Sequence, residues 1–199
     1  SINSAVISSK PLFASALAIG FLRETAGPFT LVGIVVLVLG LSILALSKGG
    51  DITGWERRDL LFPLAAAVFL GAGNVARRFG LLRFPELSLL EAVTINEFGA
   101  LVALATYAVL AGRSDVLNAP RRTYAYFAGS GTITAVALLF LAAALQQGRV
   151  VIVDPLTATA PLFTPVFAAV FLRDVERVTK GVVIGAVFVV VGVVLLTAF

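Results

Sequence analysis

Seven apolar runs, each about as long as a membrane-spanning helix, constrain the fold of this chain more than any other feature. They cover 3–22, 28–47, 60–79, 88–112, 124–147, 150–172 and 179–198. About 20 apolar residues in an α-helix cross the ~30 Å hydrocarbon core of a bilayer. Lipid supplies no hydrogen-bond partners, so a spanning segment satisfies its own backbone as a helix or as a strand of a closed barrel. Barrel strands alternate polar and apolar residues, and VVIGAVFVVVGVVLL near the C-terminus does not. The runs therefore read as helices, and the fold class is an all-α integral membrane bundle of seven spans.

Composition agrees. Hydrophobic residues make up 59% and charged residues 13%, against about a quarter charged in soluble domains. With no Cys and no His, disulfides, thiolate or imidazole metal sites and His-dependent triads are excluded, and no metal or cofactor is expected. The net charge is +4, but Arg and Lys fall mainly between the apolar runs, which suits membrane flanks and not a nucleic-acid groove. No basic segment followed by a cleavage pattern precedes the first run, so no signal peptide is expected. Breaks such as SKGGDITGWERRD (47–59) and AGRSDVLNAPRRTY (111–124) carry Gly, Pro and charge, and Trp55, Tyr124 and Tyr126 sit at run edges, where amphipathic rings favour the interface.

The chain also repeats itself. KPLFASALAIGFLRE (10–24) is echoed by APLFTPVFAAVFLRD (160–174) at an offset of 150, with PLF, FLR and a closing acid in both. In the following runs Gly33 and Gly40 match Gly185 and Gly192 at an offset of 152. Helix pair 3–47 thus reads as a copy of helix pair 150–198, with three runs between them. The second copy closes a five-helix unit, and an odd number of crossings turns equivalent units upside down in the membrane. That is an inverted-topology repeat, a construction of secondary transporters. The expected organisation is 1–47 as the last two helices of a first unit whose first three helices are absent here, 48–59 as a linker, and 60–199 as a complete second unit.

The stretch from Ala142 onward resembles the EamA-type ten-helix carriers of the drug/metabolite transporter superfamily. It has a small-residue helix ending in Ala-Leu, a hairpin, a helix with Pro-Leu-Phe, then Phe-Leu with an acid, and a glycine-containing last helix. Asp174 stands where such carriers more often have Glu, and the first copy has Glu24. The resemblance implies helices four to ten of ten, two repeats around a central cavity, alternating access, and often export coupled to protons. A small-molecule substrate and a prokaryotic inner membrane follow from it as expectations.

A charge at bilayer depth is costly and usually faces an interior cavity. Glu97 lies about nine residues into its run, ~14 Å deep at ~1.5 Å per residue. Glu91 and Thr94 precede it at spacings of three, broadly along one face, with Asn96 beside it. The stripe makes Glu97 a candidate for binding a substrate amine or a proton. Lys10, whose counterpart is Ala160, could sense an anionic substrate group, neutralise Glu97, or merely snorkel. Asp154-Pro155 reads as an N-cap followed by proline at the first helical position, which would leave RVVIV extended or separately wound. Thr157 is a candidate cavity-lining hydroxyl. Pro11, Pro161 and Pro165 are candidate kinks or hinges. Gly33, Gly40, Gly181, Gly185 and Gly192 are candidate close-packing positions, within the bundle or against a second copy.

Two competing functions are a membrane-embedded enzyme using Asp154 and Glu97, and a truncated paralogue that does not transport. Orientation is left open. Nine Lys and Arg on one set of loops against five on the other place the C-terminus outside by the positive-inside rule, whereas the resemblance implies a cytoplasmic C-terminus.

Overall fold

A computed structural model describes residues 2–47, 57–112, 120–163 and 180–198. Pro165, Asp174, Trp55 and most of the linker lie outside the described residues. Every regular element among those described is helical: α1 (Ile2–Ile7), α2 (Lys10–Leu22), α3 (Pro28–Ser47), α4 (Leu61–Arg83), α5 (Leu89–Leu110), α6 (Arg121–Gln147), α7 (Val150–Thr157) and α8 (Lys180–Thr197). Single 3₁₀ turns cover Arg57–Leu60 and Ala160–Leu162.

By length and apolarity five segments can cross a membrane: Asn3–Leu22, Pro28–Ser47, Leu89–Leu110, Arg121–Gln147 and Lys180–Thr197. The fold is that of an all-α membrane protein. Of the other two expected spans, α4 has 23 residues but carries Asn74, Arg77, Arg78 and Arg83. The last, Val150–Leu162, is described only as a short apolar helix.

The chain divides into two units, Ser1–Phe79 with Gly148–Phe199, and Gly80–Gln147. Both copies of the repeat belong to the first. Its core is the α3–α8 pair. On α3 the buried residues are Thr30, Gly33, Ile34, Leu37, Val38, Gly40, Leu41 and Leu44, the three-and-four spacing of one helix face. On α8 they are Gly185, Val189, Gly192 and Leu196. Glycine lets the two backbones touch. A Cβ on Gly33 would sit 2.9 Å from the Gly192 carbonyl, and one on Gly40 would sit 2.8 Å from the Gly185 carbonyl. Conversely, a Cβ on Gly185 would sit 2.9 Å from the Gly40 carbonyl. Pairing Gly33 with Gly192 and Gly40 with Gly185 runs the helices antiparallel. It is also reciprocal between the copies, since Gly185 is the counterpart of Gly33 and Gly192 that of Gly40, which is the contact rule of a two-fold interface. Gly181 packs on Ser47 of the same α3.

The first and sixth apolar runs are not the continuous helices their length predicts. α1 ends at Ile7, residues 8–9 form a turn, and α2 starts at Lys10 with Pro11 in its first turn. α7 ends at Thr157, residues 158–159 form a turn, and Ala160–Leu162 starts the next segment with Pro161. The breaks agree bond for bond at the offset of 150. Ser8, Ser9 and Leu12 N–H donate to Ser4, Val6 and Ser9 carbonyls, while Ala158, Thr159 and Leu162 N–H donate to Asp154, Leu156 and Thr159 carbonyls. Ser9 Oγ donates to the Val6 carbonyl (2.6 Å) as Thr159 Oγ1 does to that of Leu156 (2.7 Å). Proline after each turn lacks the N–H that would continue the helix.

The second unit holds α5 and α6. Ser88 and Glu91 form a capping box at the start of α5: Ser88 Oγ accepts from Glu91 N–H, and Ser88 N–H donates to Glu91 Oε2 (2.8 Å). Thus Glu91 satisfies orphan donors of the helix start and is not the outer step of a polar stripe. No residue of α5 is buried within the chain. A helix that is apolar all round and unburied by its own chain belongs in lipid or against other membrane helices.

Candidate functional site

The site grows from the two helix breaks. Asp154 lies inside α7, five residues before a proline would be tolerated as a helix start, and its side chain has no solvent exposure. It does not cap a helix, contrary to the Asp-Pro expectation. The separately wound alternative holds: residues 150–157 form their own short helix, with Arg149 extended at the N-cap and no cap bond from its side chain. The cap comes from elsewhere. Glu24, just past the end of α2, accepts the N–H of Val150 on Oε1 and that of Val151 on Oε2, both at 3.0 Å. A carboxylate on the first amides of a helix satisfies orphan donors and meets the positive end of the helix dipole. Arg23 adopts the left-handed conformation (φ 54°) at the C-cap of α2, turning the chain just before Glu24. Arg149 Nη1 donates to the Thr25 carbonyl (2.8 Å), and Arg78 Nε stands 3.9 Å from Glu24.

With its start capped in trans, α7 carries Asp154 into the interior, where partners converge. Lys10 Nζ is 2.9 Å from Asp154 Oδ1. Asn74 Nδ2 donates to the same oxygen, and Asn74 Oδ1 accepts from Arg77 Nη1 (2.8 Å). Asn74 gets there because α4 lies backbone-close to α2. A Cβ on Gly71 would sit 2.9 Å from Ala14 N, and Gly71, Asn74 and Arg78 follow one another along one helix face. Asp154 Oδ2 is buried with no hydrogen-bond partner.

A cavity of about 440 Å³ opens between the breaks, lined among others by Ser4, Ser8, Lys10, Thr157, Ala158 and Pro161. Lys10 is its one charged lining residue among those described, and Ser4, Ser8 and Thr157 add hydroxyls. Leu41, Leu44 and Ile7 make the apolar wall. The volume is that of a small-molecule pocket.

Of the residues singled out in the sequence, the structure brings together Lys10, Asp154, Thr157, Pro11 and Pro161. Lys10 pairs with Asp154 and not with Glu97. Glu97, Asn96 and Thr94 belong to the second unit. Asn96 Nδ2 donates to Glu97 Oε1 (2.8 Å) and Thr94 Oγ1 to the Leu90 carbonyl (2.7 Å). Glu24 and Asn74 were missed as site residues. The signal for Glu24 was present, an acid closing FLR in both copies, but its target is distant in sequence.

Glu24→Gln is expected to lower stability by about 1–3 kcal/mol, the scale of a charge-assisted bond to a buried donor. An amide offers only one acceptor to two converging N–H groups. Thermal unfolding in detergent measures this, with Glu86→Gln, an exposed turn residue, expected to be neutral.

Comparison with known proteins completes the description. An uncharacterized protein of Methanocaldococcus jannaschii is 25% identical over 138 residues, covering 69% of this chain and 95% of that relative. Residues 58–198, which hold α4 to α8, match the EamA-like transporter family. The match spans well over half of an all-α membrane chain whose helix breaks enclose a cavity, and the chain belongs to the EamA-like transporter family.

Proposed function

We propose that the protein is a secondary transporter, an exporter or exchanger that moves a small metabolite or drug-like compound across a prokaryotic cell membrane by alternating access. The observation that carries this is the cavity between two matched helix breaks. Interrupted helices free backbone polar groups at membrane depth, which is tolerated where they line a cavity or are buried in protein. The internal match of α1–α3 to α7–α8 supports an inverted repeat, and the reciprocal glycine contacts support a pseudo-two-fold between α3 and α8. Lys10, the hydroxyls and the apolar wall suit a small amphipathic cargo. Glu97 is the proposed site of proton coupling, and contact with a second copy through membrane-facing helices is compatible with the exposed α5.

Reconstitution tests the proposal. Liposomes carrying the protein and loaded with a cell-extract metabolite mixture are expected to release particular compounds faster than protein-free liposomes, as read by mass spectrometry. No protein-dependent release of any compound would count against transport. For a compound that is released, Glu97→Gln is expected to flatten the pH dependence of the rate, and an unchanged pH profile removes Glu97 from coupling.

A further inference from the structure

The two copies match in backbone but differ where they carry charge. At the offset of 150, Asp154 corresponds to Ser4 and Lys10 corresponds to Ala160. The matched hydrogen bonds at both breaks show that these are equivalent positions, because the Asp154 and Ser4 carbonyls accept the same turn bond in their own copies. The first copy thus supplies only the cation and the second only the anion. They meet at 2.9 Å. Their counterparts do not form such a pair: Ser4 lines the cavity together with Ala158 and Pro161, the neighbours of Ala160. The molecule is closed at Lys10–Asp154 and holds open space beside the equivalent positions.

We propose that the Lys10–Asp154 ion pair is made in only one of the carrier's two access states and holds the empty carrier in that state. The proposal rests on the carrier reading above. In an inverted-repeat carrier, exchange of conformation between the repeats gives the other state, so a contact between two positions is replaced by the contact between their counterparts. Lys10–Asp154 is then replaced by Ala160–Ser4, a pair with no charge. One state gains a buried ion pair and the other gains a small van der Waals contact. A two-state equilibrium is biased by whatever interaction differs between the states. The sequence asymmetry is thus an energetic asymmetry between access states, and cargo must bind the second state better to reverse it.

The test uses the absence of cysteine from the chain. Ser4→Cys with Ala160→Cys places thiols that form a disulfide only when their Cα atoms come within about 7 Å. In the otherwise unchanged protein, oxidation is expected to give little cross-linked product. With Asp154→Asn added, or with Lys10→Met and Asp154→Asn together, the yield is expected to rise severalfold. The combined variant removes the pair without stranding a charge, and a retained monodisperse elution profile confirms that it folds. Equal cross-linking with and without the pair overturns the inference. Metabolite release by the unmodified protein is read separately. Release with unchanged cross-linking overturns the ion-pair inference alone, and no release counts against the carrier reading beneath it.

Discussion

Gly192→Ala is expected to destabilise the protein, although alanine ordinarily favours a helix over glycine by about 1 kcal/mol. The added methyl has nowhere to go. Its carbon would lie 2.6 Å from Leu37 N, 2.7 Å from Leu37 Cβ and 2.8 Å from Leu37 Cα. These are backbone and near-backbone atoms, so no rotamer change relieves the clash and the α3 and α8 axes must separate. Overpacking of this kind costs about 1–3 kcal/mol, and here separation also unseats the neighbouring Gly33–Gly192 contact. Unfolding temperature in detergent is expected to fall clearly for Gly192→Ala, and Gly192→Val to leave no monodisperse protein. Gly73→Ala supplies the contrast: the same substitution in a helix with nothing within 4 Å of the new carbon should be neutral or slightly stabilising. Shortening Leu37 to Ala should not rescue Gly192→Ala, because the clashing atoms remain. Equal behaviour of Gly192→Ala and Gly73→Ala would remove the glycine seam as the basis of the α3–α8 contact.

The seam was legible in the sequence, whereas much of the site was not, and the physical reason differs between them. Bilayer thickness dictates the length of an apolar run, so the helices and their class could be read from composition alone. Small residues at matched spacing marked Gly33, Gly40, Gly185 and Gly192 because close approach admits few other side chains. The breaks at 8–9 and 158–159 were hidden because Ser-Ser and Ala-Thr are common inside apolar helices. Pro11 and Pro161 announced only that something changes nearby. Asp154-Pro155 misled for a related reason. A local reading assigns Asp to the nearest free amides, but the amides of α7 are taken by Glu24, and Asp154 is satisfied by Lys10 and Asn74 from two other helices. Partners 80 or more residues away leave no local trace. The polar stripe through Glu91, Thr94 and Glu97 failed in the opposite direction: SLLE (88–91) carries a capping box, a local signal that accounts for Glu91 without a cavity.

Lys10→Met is expected to destabilise the protein more than Asp154→Asn does, although both remove the same ion pair. The Asp154 side chain is fully buried, while that of Lys10 is 20% exposed and lines the cavity. Methionine at position 10 strands a buried carboxylate that already has one oxygen without a partner. Breaking a buried pair in this way costs about 3–5 kcal/mol. Asparagine at position 154 leaves the ammonium unpaired, but Lys10 can turn toward water in the cavity, and the new amide oxygen still accepts from Asn74. About 1–3 kcal/mol is expected for that change. In the double variant neither charge remains to be stranded, and stability should recover to near the unmodified level, since a neutral replacement of a buried ion pair is often no worse than the pair itself. The two single costs therefore should not add, and their shortfall in a double-mutant cycle measures the coupling. Unfolding of the four proteins under one detergent condition decides the matter. Additive costs would mean that Lys10 and Asp154 do not interact across the cavity wall. Equal single costs would mean that the burial difference between the two side chains has no energetic weight.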